Sequence, residues 1–197
     1  MGNSESPPPG GLGKRGGAPL RHVDPHAHHG PIHRAYVRIA GGRFATRLAR
    51  QPVWGAIVWK LDPHLLGLTK GRLGTGLSIP TALLQTRGAR TGRLRRNAVI
   101  YFHDGQRVTI IASQAGLPGN PSWYYNVRAH PHDVMLGGQR FRAEIVEDET
   151  ERARLWELAD LVFPGFPAYR ESAARTGRAI PIVQLLPGRS AAPDFIK

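Results

Sequence analysis

The chain contains no cysteine, which excludes disulfides, thiolate catalysis and cysteine-ligated zinc or iron–sulfur centres, and removes any argument for an oxidising compartment. Acidic residues are also scarce. Lys+Arg number 27 against 14 Asp+Glu, a formal charge of +13, so the partner is expected to be anionic: nucleic acid, acidic lipid or an acidic small ligand. No apolar run reaches membrane-spanning length, and Met1–Gly17 lacks the hydrophobic region of a signal peptide. A cytoplasmic address follows as the expectation. There is no internal repeat, no Gly-x-Gly-x-x-Gly after a strand, no Walker loop and no nucleophile elbow, which argues against a Rossmann dinucleotide site and against serine hydrolysis.

What remains is enough for one globular domain. Of 197 residues, 41% are apolar and 21% charged. Residues 1–31 are rich in Gly, Pro and His, cannot offset the entropy of ordering, and are expected to form a mobile tail. The histidines there and just beyond, His22, His26, His28, His29 and His33, lack cysteine or clustered carboxylate partners and are read as unliganded. A leader over residues 32–79 follows. Trp54, Ile57, Val58 and Leu61 recur at helical spacing, and Trp59, Arg47, Arg50, Lys60 and Lys70 give it the composition of an interfacial helix. It either touches an anionic membrane, on the inner face of the cell membrane, or packs on the rest of the protein.

From Pro80 the pattern changes to strands. Thr81–Thr86, Leu94–Phe102 and Val108–Ala112 read as the first three, the last two joined through Asp104-Gly105. A short helix is predicted at Trp123–Val127, and a second hairpin, Val134–Leu136 with Arg140–Val146, turns at Gly137-Gly138. Asp148 with Glu151 three residues on predicts the start of a helix reaching Val162, followed by a helical stretch near Tyr169–Arg175 and a last strand over Ile180–Leu186. Five or six hairpin-linked strands with few helices predict an α+β fold, mainly β: a small antiparallel barrel over residues 80–190.

The segment richest in chemical information is Arg87-Gly88-Ala89-Arg90-Thr91-Gly92-Arg93-Leu94-Arg95-Arg96, with five arginines and no carboxylate between two strands. Guanidinium forks grip phosphate or carboxylate in a bidentate way, and glycine lets a ligand approach the backbone. Composition alone equally permits a solvated basic turn.

These residues extend into an ordered series: Leu83–Gly92, then Tyr101, Asp104-Gly105, Ala112-Ser113, Asn120-Pro121-Ser122-Trp123-Tyr124-Tyr125-Asn126, Ala129-His130-Pro131, Trp156, Phe163-Pro164, Tyr169 and Ile180-Pro181-Ile182-Val183. The series resembles the deazaflavin (coenzyme F-420)-dependent nitroreductase and quinone reductase family of actinobacteria. The resemblance implies a split β-barrel and a reductase that takes a hydride from reduced coenzyme F-420, an 8-hydroxy-5-deazaflavin, to a quinone-like, nitroaromatic or other apolar acceptor. It further implies a cofactor site at Arg90, Thr91, Gly92, Arg95, Asn97, Ser113, Gln114 and Trp123. Arg90 replaces a customary lysine, and Gln114 stands where a lysine is usual, so one phosphate-side cation is lost. Phe163, Phe166 and Tyr169 fall where the family places aromatic residues over the substrate pocket, and Tyr169 is the phenol able to assist the acceptor. Other readings stay open: a deazaflavin or lipid carrier without turnover, a flavin-mononucleotide barrel enzyme, and a nucleic-acid binder, the last weakened by the absence of a recognisable module.

Overall fold

The computed structural model describes residues 20–27 and 79–188. Most of the proposed leader and residues 1–19 and 28–31 of the proposed tail lie outside the described residues. Six strands form the body: β1 (Thr81–Arg87), β2 (Leu94–Asp104), β3 (Arg107–Ile111), β4 (Val134–Leu136), β5 (Gln139–Ile145) and β6 (Ile182–Pro187). They close into a barrel in the order β1-β2-β3-β6-β5-β4, every neighbouring pair antiparallel. Closure removes the unpaired edges that an open sheet of this size would expose. The glycine turns act as expected. Gly105 sits at φ +60, and Gly137 and Gly138 at +55 and +85, the left-handed backbone that two-residue hairpins require.

Alternation along the strands separates two cores. Leu84, Val99, Tyr101, Ile110, Leu136 and Leu185 point into the barrel, where the helix α1 (Ser122–Ala129) closes one mouth with Trp123, Tyr124 and Val127. The opposite face of β2, β3 and β6, with Phe102, Ile111 and Ile182, is covered by α2 (Glu149–Val162) and α3 (Phe166–Ala174). The carboxylate of Asp148 caps α2 by accepting from the Glu151 N–H at 2.8 Å. Arg154 on α2 reaches Asp104 at the β2–β3 turn, and the guanidinium beside it holds the Asp104 carboxyl below its ordinary range.

The expectation of a mobile tail over residues 1–31 does not describe residues 20–27. Val23 donates its N–H to Nδ1 of His103 at 3.0 Å and accepts from the His103 N–H at 2.8 Å, while the Tyr101 hydroxyl donates to the Arg21 carbonyl at 2.9 Å. Leu20 and Val23 pack on the barrel core. This short strap covers the end of the barrel opposite α1. Composition missed it because backbone hydrogen bonds to residues about 80 positions away, together with two apolar side chains, do the holding.

Candidate functional site

At the mouth capped by α1, the β1–β2 ladder runs out to Arg87 opposite Leu94, and residues 88–93 turn the chain. Gly88 donates to the Arg93 carbonyl and Gly92 to the Gly88 carbonyl, both at 2.8 Å. A Cβ on Gly88 would lie 3.1 Å from both the Arg93 carbonyl and Thr91 Oγ1, so the turn is too tight for a larger residue without adjustment. Asn126 of α1 fastens this turn to the barrel. Its Oδ1 accepts from the Ala89 N–H at 2.9 Å and its Nδ2 donates to Thr86 Oγ1 at 3.2 Å.

The turn and α1 enclose an open cleft of about 610 Å³. Arg90, Thr91, Arg95, Arg96 and Asn97 line one side, and Ser122, Tyr125 and Asn126 the other. Arg95 and Asn97 continue the inward-facing row of Val99 and Tyr101, which is why they point to the mouth. Arg87 is withdrawn from the basic set by an ion pair with Asp133 at 2.6 Å. Arg90, Arg93, Arg95 and Arg96 have no carboxylate within ion-pair distance among the described residues. An exposed cluster of unneutralised guanidinia repels itself and favours a polyanion, with bidentate geometry for phosphate or carboxylate oxygens.

The remaining expected cofactor residues lie elsewhere. Gly92 sits in the turn at φ +65, shaping it without lining the cleft. Trp123 is buried in the barrel-capping core, because a helix that turns Ser122, Tyr125 and Asn126 toward the cleft must turn Trp123, Tyr124 and Val127 inward. Tyr125, exposed to 48%, is the aromatic ring at the cleft.

Ser113 and Gln114 open the loop between β3 and α1. Gln114, Ala115, Gly116 and Gly119 all have left-handed φ, +47, +52, +72 and +77. For the two that are not glycine this costs on the order of 1–2 kcal/mol each. A Cβ on Gly116 would stand 2.7 Å from the Tyr169 carbonyl and 2.9 Å from Ser172 Cβ, so α3 rests directly on this loop.

On α3 and the residues before it, Phe163, Phe166 and Tyr169 form one aromatic cluster, with ring centroids 5.1 to 6.3 Å apart. Phe163 and Phe166 are buried and Tyr169 is at the border of burial. The structure therefore joins the aromatic cluster to the Ser113–Gln114 loop through Gly116, and the arginine turn to α1 through Asn126.

Sequence reasoning missed two side chains. Asn126 carried only a motif, with no signal for its bonds to residues 37 and 40 positions away. Arg178 is the other. Its guanidinium donates to the carbonyls of Ala112 (2.5 Å), Ser113 (3.1 Å) and Leu117 (2.6 Å) and to Oδ1 of Asn120 (2.9 Å). Burial lowers its pKa from the ordinary arginine value, because desolvation disfavours the charged form.

The closed antiparallel barrel carries at one mouth a guanidinium cluster without carboxylate partners among the described residues, an arrangement suited to an oxyanion-rich ligand. The family described as F420H(2)-dependent quinone reductase matches residues 63–187. The chain is 33% identical over 137 residues to proteins described as F420H(2)-dependent quinone reductases from Mycobacterium tuberculosis strains ATCC 25618 / H37Rv and CDC 1551, an alignment covering 66% of this chain and 91% of each relative. A solved structure described as an F420-H2 dependent reductase (FDR-A) is 32% identical and has a TM-score of 0.47, with 54% of this chain and 93% of that one covered. The chain belongs to the F420H(2)-dependent quinone reductase family, and it is accordingly an oxidoreductase with coenzyme F420 as its cofactor.

Proposed function

We propose that the chain oxidises reduced coenzyme F420 and passes the hydride to apolar acceptors, quinones foremost and nitroaromatics as a further class. The observation that carries this reading is the set of exposed arginines without carboxylate partners around the cleft, which fits a cofactor bearing a phosphate and an acidic tail. When bound, the reduced deazaflavin supplies the hydride from its own ring carbon, so the protein need supply only alignment, shelter from water and charge stabilisation.

Arg90 and Arg95 take the phosphate and tail carboxylates in this scheme, supported by Arg93 and Arg96. Thr91 and Asn97 offer side-chain hydrogen bonds beside them, and Gly92 sets the turn. Ser113 and Gln114 border the cofactor, with Tyr125 in the place first expected of Trp123. Phe163, Phe166 and Tyr169 bound the acceptor. The Tyr169 hydroxyl donates a hydrogen bond to the acceptor oxygen as the hydride arrives, and a quinone that gains one hydride and one proton leaves as the hydroquinone. The leader, if it lies on an anionic membrane, would bring the enzyme to lipid-soluble acceptors.

The test is a titration of the full chain and of Arg90→Ala and Arg95→Ala with F420 of short and long glutamate tails. Each substitution removes a charge-assisted contact worth about 1.5–3 kcal/mol, so affinity falls roughly ten- to a hundredfold while turnover at saturating cofactor falls much less. Tyr169→Phe is expected to bind cofactor normally and turn over more slowly. Equal affinity in wild type and both arginine variants would reduce the cluster to a solvated turn.

A second reading follows from the close packing of Phe163, Phe166 and Tyr169 against one another: a carrier that holds F420 without turning it over. Single-turnover oxidation of bound reduced cofactor by a soluble quinone separates the two.

A further inference from the structure

Arg178 follows α3 at a left-handed turn. Gly177, at φ +68, donates to the Ala174 carbonyl, and the Arg178 N–H donates to the Ala173 carbonyl, which ends the helix and aims the next side chain back across the β3–α1 loop. There the guanidinium meets three main-chain carbonyls and one side-chain amide oxygen, all within the nine residues Ala112–Asn120. It has no carboxylate within ion-pair distance among the described residues. A partly buried cation with no counter-ion among the described residues is a poor way to gain stability, since the same carbonyls could be paired by neutral donors.

What the guanidinium offers instead is geometry. Its three nitrogens all donate here, Nε to Asn120, Nη1 to Ser113 and Leu117, and Nη2 to Ala112, and a planar fork holds these acceptors at fixed separations. An ammonium group, with all its protons on one atom, cannot span them. The segment held this way includes the left-handed Gln114 and Ala115, a conformation that costs energy for residues other than glycine.

We propose that Arg178 is a positioning residue for cofactor binding: it clamps the Ala112–Asn120 loop in its left-handed form, so that Ser113 and Gln114 are pre-set for coenzyme F420. The proposal rests on the reading that Ser113 and Gln114 border the cofactor. Its cation, without a carboxylate partner among the described residues, also adds to the positive field that an anionic ligand meets at this mouth.

The test uses the full chain with Arg178→Lys and Asn120→Ala, the second removing one of four acceptors and leaving the charge. Amide hydrogen exchange is followed across residues 113–119 without cofactor, and the affinity for F420 is measured alongside turnover. In Arg178→Lys, exchange over this loop rises at least tenfold while the β1–β2 amides keep their wild-type rates. The dissociation constant for F420 rises at least tenfold, and turnover at saturating cofactor falls less than threefold. Asn120→Ala shows the same pattern with smaller changes, and carries the test if Arg178→Lys does not fold. Wild-type exchange in both variants would overturn the clamp. Faster exchange with wild-type affinity would overturn its link to the cofactor. Failure of the wild-type chain itself to bind F420 would instead overturn the underlying reading, an outcome visible before any variant is compared.

Discussion

Replacing Asn126 by alanine separates the arginine turn from the helix that fastens it. The side chain serves two partners of different exposure. Thr86 is 1% exposed, so losing the amide donor leaves its hydroxyl oxygen short of a partner where water does not reach, at about 1–3 kcal/mol. Ala89 is exposed, its N–H can turn to water, and that loss costs about 0.5–1.5 kcal/mol. Asn126→Ala is therefore expected to lose roughly 2–4 kcal/mol of folding stability, read by urea denaturation with an unchanged m value. Cofactor binding must then also order a turn that is no longer fastened, and a penalty of about 1.4 kcal/mol weakens it tenfold. A double-mutant cycle with Thr86→Val isolates the buried half: the two changes are expected to be less than additive, with coupling of about 0.5–1.5 kcal/mol. Stability within about 0.5 kcal/mol of wild type, together with unchanged cofactor affinity, would refute the account.

Gly116→Ala places a Cβ 2.7 Å from the Tyr169 carbonyl at a left-handed φ, so a loss above about 2 kcal/mol in thermal or urea denaturation is expected; a neutral effect would mean that α3 yields easily. The strap should respond to pH. Val23 donates to His103 Nδ1, so that nitrogen must be unprotonated, and burial first, then the neighbouring His22, lowers the His103 pKa. The folded state thus binds the proton less readily than the unfolded chain, so the contribution is complete above the ordinary histidine value of about 6.5 and is lost as pH falls through the folded value. His103→Asn should flatten that loss in a stability–pH profile; an unchanged profile would assign it to other groups. Flotation on anionic vesicles at low salt, weakening as salt rises, tests the proposed basic interfacial leader, and its absence would remove the membrane from the proposal.

The six strands were legible because side-chain alternation and glycine turns are local signals, and closure into a barrel follows once each strand has an apolar face and hairpin neighbours. The last strand begins at Ile182 where Ile180 was expected, since Pro181 cannot donate to the ladder. The arginine turn was visible by composition, but not that Asp133 neutralises Arg87 or that Tyr125 faces the cleft where Trp123 was expected. A one- or two-residue shift in helical phase decides which aromatic is core, and periodicity over eight residues is too short to fix it. Arg178 carried no sequence signal of its own. Its partners lie 58 to 66 positions away, and no local pattern reports them.

The strap and the first strand share one end of the barrel. Val23 bonds to His103, and Pro80 accepts from the Tyr101 N–H two residues earlier on the same strand. The chain between Ala27 and Ile79 therefore departs from and returns to one place, on the far side from the arginine cleft. Residues 28–78 are therefore joined to the described body at two points on one end of a single strand. Exchanging these 51 residues for a linker of about eight would leave the cleft's covalent surroundings untouched.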